Sequence, residues 1–261
     1  MSKWIWSGLR TGIKTTRYPS AEDAAAGISP GLPTGRALGN GDPARIVERC
    51  PTGALFREAQ RIAVDVRRCV HCYRCARGDD TIAWDPGYEW AMSNPDGQDT
   101  SVHESADFGA AFTRSVHIRV VDAGDCGACL HEVKQLSTPY YNLHRLGFFF
   151  TPTPRQADIL LVVGAGSEQM REALVKTHNA MPTPRKVIAV GACALSGGVF
   201  GPNFACSAGV REIVPVDIEV PGNPPPPLAI LHALLVATGR ATSAEWNTLG
   251  VSSGPPAGGH R

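Results

Sequence analysis

Three cysteines stand at i, i+3 and i+6 in CVHCYRC: Cys69, Cys72 and Cys75. Thiolates are the ligands taken by soft metal ions and iron-sulfur clusters, so a run this dense is first of all a metal-binding signal. A four-cornered cluster needs one more ligand, and the next cysteine downstream is as far away as Cys126. The plainer reading of the same run is a structural zinc site, although zinc usually takes its ligands as two separated pairs. A second set, Cys126, Cys129, Cys193 and Cys206, lies in the other half of the chain. Taken alone, DCGACLHEV around Cys126 and Cys129 could be a dithiol exchange motif with an activated first thiol. That reading explains neither Cys193 in VGACALSGG nor the glycine-flanked loops, which let a backbone approach a bulky ligand closely.

These thiols need elements to hold them. Apolar runs of strand length at 116–121, 159–163, 187–190 and 213–220 alternate with helical composition at 168–178 and 228–239. The alternation predicts an α/β, parallel-sheet domain with helices packed on the sheet. Cys126, Cys129 and Cys193 then fall in loops leaving the C-terminal ends of the first and third strands, the edge where such sheets place ligands. Residues 54–66 read as a short hairpin leading to Cys69. The polar stretch 76–113, with its DPG and NPDG turn signals, sets a domain boundary near 110.

Composition limits the surroundings. With 261 residues, 43% hydrophobic content and a net charge of +1, the chain has no bias toward nucleic acid. The longest apolar stretch, 228–237, is too short to span a bilayer, and the N-terminus lacks the apolar core of a secretory signal. A cytoplasmic location follows, where eight cysteines serve better as metal or redox ligands than as disulfides. On a helical wheel Lys3, Arg10, Lys14 and Arg17 share a sector beside Ile5, Trp6, Leu9 and Ile13. Such a helix could lie on an anionic membrane surface, pack on a membrane-domain subunit, or dock on its own chain, while Gly8 and Gly12 weaken it.

The stretch from Cys50 to Cys75 resembles half of a two-cluster ferredoxin. Ferredoxin runs read C-x2-C-x2-C-x3-C-P, and the last cysteine of each run ligates the other cluster. The resemblance implies one [4Fe-4S] cluster held by Cys50, Cys69, Cys72 and Cys75. Asp79 stands where the second run would give up a cysteine, and residues 38–49 contain none, so the other cluster is lost with all its ligands.

Residues 124–240 resemble the small subunit shared by group 4 membrane-bound [NiFe]-hydrogenases, including formate hydrogenlyases, and by respiratory complex I. The matching stretches are CGACLHE at Cys126 to Glu132, NLHRLG, PRQADILLV, VGACA around Cys193, GGVFG and VPVDIEVPG. The first half, with its opening Gly12 to Pro19, is similar to the ferredoxin-like subunit of the same assemblies. The resemblance implies a ferredoxin-like domain followed by a flavodoxin-like one, in the order 1–35 amphipathic segment and linker, 36–109 ferredoxin-like domain and linker, 110–242 terminal-cluster domain, 243–261 tail. It implies a second cluster on Cys126, Cys129 and Cys193, and an acidic Glu132 that serves either in proton transfer or in an ordinary salt bridge. The family's fourth ligand is the cysteine of P-G-C-P-P; here PGNPPPP places Asn223 there, leaving Cys206, Asn223, an outside group, a three-iron form or an empty site as alternatives. The function implied is electron transfer to or from a hydrogenase-type large subunit, with membrane-domain subunits and a ferredoxin or other carrier as further partners, peripheral at the inner face of the cell membrane. The alternative is a scaffold subunit whose terminal site has degenerated. A free-standing reductase lacks support, since VVGAGSEQM offers only G-x-G.

Overall fold

The computed structural model describes residues 3–37, 43–77, 82–93, 108, 112 and 114–244. Asp79, the NPDG turn at 94–97 and residues 245–261 of the expected tail lie outside them. The chain is α/β, built on two sheets.

It begins with helix α1 (Lys3–Thr11), which stops where Gly12 takes φ 66°, a conformation that costs glycine little. No residue of α1 is buried. Strand β1 (Leu32–Ala37), helix α2 (Pro43–Glu48), strands β2 (Leu55–Glu58) and β3 (Arg61–Val64), and β4 (Ala83–Asp85) follow. The four strands form an antiparallel sheet in the order β2-β3-β1-β4. The hairpin expected at 54–66 is β2-β3, with Leu55 opposite Val64 and Glu58 opposite Arg61.

The second sheet contains β5 (Met92–Ser93), β6 (Val116–Asp122), β7 (Phe148–Phe150), β8 (Ile159–Val163), β9 (Lys186–Val190) and β10 (Ile218–Val220). Its order is β5-β10-β9-β8-β6-β7; β6 to β10 run parallel, and β5, drawn from the polar stretch, adds an antiparallel edge. Helices α3 (Ala128–Gln135), α4 (Glu168–Asn179), α5 (Ala192–Ser196) and α6 (Pro227–Ala237) accompany it. Strand β8 is buried along its whole length, as a parallel strand covered on both faces must be. Helix α6 is apolar except for His232 and buries every residue but Val236, so it lies inside the core. The strand expected over 213–220 is shorter: the chain passes through a tight turn at Val210–Glu212, Pro215 has no N–H to give a ladder, and pairing resumes at Ile218.

The two sheets meet at a polar seam. Glu219, 1% exposed on β10, accepts from Arg67 Nε at 2.7 Å and is also bonded to Arg211. The Ser196 hydroxyl at the end of α5 donates to the Arg67 carbonyl at 2.9 Å. Arg67 lies two residues before Cys69 and Ser196 three after Cys193, so the seam joins the stretches that carry both sets of thiols.

Candidate functional site

The first set of thiols gathers around one cavity. Cys50, Cys69, Cys72 and Cys75 border it together with Val64 and Trp84. Cys50 follows α2; its sulfur accepts the Ala54 N–H at 3.2 Å, and the Thr52 hydroxyl donates to the Arg68 carbonyl at 2.6 Å, holding the upstream loop against the downstream one. Asp65 follows β3, and its carboxylate accepts the Arg67 N–H, starting the turn Val66–Arg68 that delivers Cys69. The residues between the cysteines pay for close spacing in backbone conformation: His71 and Tyr73 have φ 49° and 57°, unusual for residues other than glycine. Tyr73 stacks on Trp84 at 4.5 Å between ring centres, and His71 meets Trp84 edge-on at 5.5 Å. Burial pushes the Cys69 thiol up to about 12, and the neighbouring Cys75, Cys50 and Cys72 push the same way against a bond from the His71 N–H. Burial alone lowers His71 to about 4, so it is neutral.

The second set lies where the parallel strands end. After β6 the Asp122 carboxylate accepts the Gly124 and Asp125 N–H groups, and Asp125 in turn accepts those of Gly127 and Leu130, turning the chain into α3 with Cys126 before it and Cys129 in its first turn. Cys193 lies in the first turn of α5, directly after β9. Two glycines leave room for the sulfurs: a Cβ on Gly191 would come within 2.5 Å of Cys129 Sγ, and one on Gly198 within 2.5 Å of Cys193 Sγ. Cys129 and Cys193 are buried and Cys126 is exposed. Burial raises the Cys129 and Cys193 thiols, and Asp125 and the neighbouring thiols raise them further. Cys206, half-buried, is pinned by backbone pairing with Asn203 and a bridge to Ser167, and Cys193 feels its charge. Asn223 does not point away from the first site: its Nδ2 donates to the Val70 carbonyl, between Cys69 and Cys72, at 3.2 Å.

Among the described residues no group of three or more His, Cys, Asp or Glu is arranged to hold a single metal ion. The structure brings Cys50 to the Cys69–Cys75 run around one cavity, and Cys193 close to the Cys126–Cys129 pair. Sequence reasoning missed Asp125, whose Oδ1 is buried without a hydrogen-bond partner, and Glu219 with its arginines. A signal for Glu219 exists, since a carboxylate between Ile218 and Val220 in an apolar strand must find a cation.

Comparison with known proteins covers the second half. Residues 126–237 match the family described as NADH ubiquinone oxidoreductase, 20 Kd subunit. A probable membrane-bound hydrogenase subunit of Pyrococcus furiosus is 40% identical over 124 residues, 48% of this chain and 74% of that protein. Formate hydrogenlyase subunit 7 of Escherichia coli is 38% identical over 126 residues, 48% of this chain and 49% of that protein, so the chain spans about half its length. Among solved structures, that of the membrane-bound sulfane sulfur reductase, an archaeal respiratory membrane complex, matches 49% of this chain and 73% of its own with a TM-score of 0.44 and 26% identity. Through its second half, the chain belongs to the family of the NADH ubiquinone oxidoreductase 20 kDa subunit.

Proposed function

We propose that this chain is an iron-sulfur electron-transfer subunit of a membrane-attached, energy-converting hydrogenase-like assembly related to complex I. In that role it relays electrons to or from a large subunit at the inner face of the cell membrane. The observation that carries the proposal is the gathering of two groups of thiols, Cys50 with Cys69, Cys72 and Cys75 around one cavity, and Cys126 with Cys129 and Cys193 as close neighbours, on the two sides of one buried seam. The donors fit a polynuclear group better than a zinc ion. The first four ring a cavity that Val64, Leu55 and Trp84 help to line, and at the second set glycines stand where a Cβ would strike the Cys129 and Cys193 sulfurs. A [4Fe-4S] cluster bound at such a site supplies one-electron transfer. The chain's own residues hold the thiols in place, line the first site's inner wall with Val64 and Trp84, and donate the Ala54 N–H to Cys50 sulfur, a contact of the kind that tunes reduction potential.

Partners follow from the surface and from the relatives. Val199, Phe200 and Phe204 are exposed in the loop after α5, an apolar patch of the kind that marks a protein interface. A large subunit of hydrogenase type seats there, and membrane-domain subunits meet the unburied α1. No helix among the described residues is long and apolar enough to cross a membrane. A second reading, a scaffold subunit with a degenerate terminal site, draws on Asn223 at the family's fourth ligand position. Anaerobic purification with iron counting and EPR separates the two. The relay reading expects about eight irons per chain and two reduced signals, with Cys50→Ala removing one signal and about half the iron. Unchanged iron and signals in Cys50→Ala overturn the first ligand set, and about four irons in the parent chain favours the scaffold.

A further inference from the structure

Three ring nitrogens of the first half, His71 Nε2, Trp84 Nε1 and Trp90 Nε1, are buried and make no hydrogen bond among the described residues. Of the three residues, Trp84 alone borders the cavity that Cys50, Cys69, Cys72 and Cys75 surround. Its ring is fixed from several sides. Strand β4 holds the backbone of Trp84 opposite Pro33 of β1, and Tyr73 stacks on the indole at 4.5 Å between ring centres and an interplanar angle of 21°. The Tyr73 hydroxyl donates to the Pro30 carbonyl at 3.1 Å, which anchors the stack, and His71 meets the indole edge-on. An indole N–H can only donate, and a buried donor left unmade is destabilising, so a ring clamped in this way calls for an acceptor. The group it bears on is Cys75. Burial and the Cys72 and Cys50 thiols raise the Cys75 thiol, while its backbone N–H and the Trp84 side chain act the other way. A side chain without an acceptor does so by favouring the thiolate, which brings the indole N–H to the Cys75 sulfur.

We propose that the Trp84 indole N–H closes on the Cys75 thiolate when the first four cysteines hold their cluster, and that this bond raises the cluster's reduction potential. The inference rests on the reading of Cys50, Cys69, Cys72 and Cys75 as cluster ligands. Negative charge on the ligand sulfurs grows when an electron is added, so a donor to one of them binds the reduced state more strongly than the oxidised one. The Ala54 N–H already serves Cys50 in this way, at the opposite end of the ligand set. Trp84 is a positioning residue in this role: it sets the potential of the relay and does not itself carry the electron.

The full chain, labelled with ¹⁵N in its indole rings, is purified anaerobically. The first-site EPR signal, the one that Cys50→Ala removes, is then titrated against potential and searched for ¹⁵N hyperfine coupling. The expected result is coupling in the parent chain and its loss in Trp84→Phe, a variant that keeps a ring for Tyr73 to stack on. At unchanged iron, Trp84→Phe should also show about a fivefold lower ratio of reduced to oxidised first cluster at a fixed solution potential, with the second signal unmoved. Trp90→Phe is the control and should keep both coupling and potential. Should Trp84→Phe shed iron, coupling in the parent that persists in Trp90→Phe carries the assignment. A first-site signal without ¹⁵N coupling in the parent, or an unmoved potential in Trp84→Phe at full iron, overturns the donor and leaves the electron-relay reading standing. If Cys50→Ala removes neither signal nor iron, the first ligand set falls and this inference falls with it.

Discussion

A side chain at Gly191 would meet a sulfur atom before anything else. The position has φ 90°, and a Cβ there would lie 2.5 Å from Cys129 Sγ, well inside contact distance. Gly191→Ala should therefore displace Cys129, lower the iron bound at the second site and destabilise the chain by about 1–3 kcal/mol. Gly239→Ala is the control, because Gly239 has φ 67° but no atom within 4 Å, so it carries the backbone strain without the sulfur. Equal iron loss in both variants would show that strain, not the approach of the sulfur, is what matters. The thiols themselves were legible in the sequence, since ligand chemistry is written in residue type and local spacing. The contact of Asn223 with Val70 was not, because it joins residues 153 positions apart whose types give no hint of each other.

Among the elements, β10 is the strand that buries a charge. Its Glu219 has a side chain 2% exposed, with Arg67 15% and Arg211 34% exposed around it. Charges so placed lose solvation on folding, and their mutual attraction does little more than offset that loss. Removing one partner is another matter, since it leaves Arg67 charged in a site built for a pair. Glu219→Ala should cost about 3–5 kcal/mol in denaturant unfolding, and because Arg67 leads directly into Cys69 it should also loosen the first site's iron. A loss below about 1 kcal/mol would mean that the seam is solvated and does not bind the sheets together. Strands β6, β8 and β9 and helices α4 and α6 were readable from apolar runs of the right length. Strand β5 was not: Met92 and Ser93 are too few to show a period, and they become a strand only because β10 offers them an edge. The truncation of the fourth predicted strand has a local cause in Pro215, a residue that could have warned of it.

At the scale of the whole molecule, both halves share one acid-sensitive core and one apolar face. His232 lies within α6, its Nδ1 accepting the Ala91 N–H and its Nε2 donating to the Thr242 carbonyl, and burial lowers it below the ordinary imidazole range, as it lowers His71. Both are held neutral in the fold and take a proton more readily when unfolded, so stability is full above about pH 6.5 and falls as the pH drops below it. Each contributes a slope of up to about 1.4 kcal/mol per pH unit, and His232→Gln, which keeps a donor and an acceptor but does not titrate, should flatten the acid limb of melting temperature against pH. The shared face gives the last prediction. Pro51, Thr52 and Arg68 of the first half and Ser196, Val199 and Phe200 of the second line one surface hollow, and Phe204 beside it is 99% exposed. Thr52 contacts Cys50 and Gly198 lies against Cys193, so this one face, with its apolar rim, approaches a thiol of each set and suits a partner that exchanges electrons with them. Alone at high concentration the chain should self-associate through this face. Phe200→Ser with Phe204→Ser should make it monodisperse in sedimentation velocity, leave the iron count unchanged, and abolish co-purification with a co-expressed large subunit. If the parent chain is already a monomer at high concentration and the double variant still co-purifies, the partner sits elsewhere.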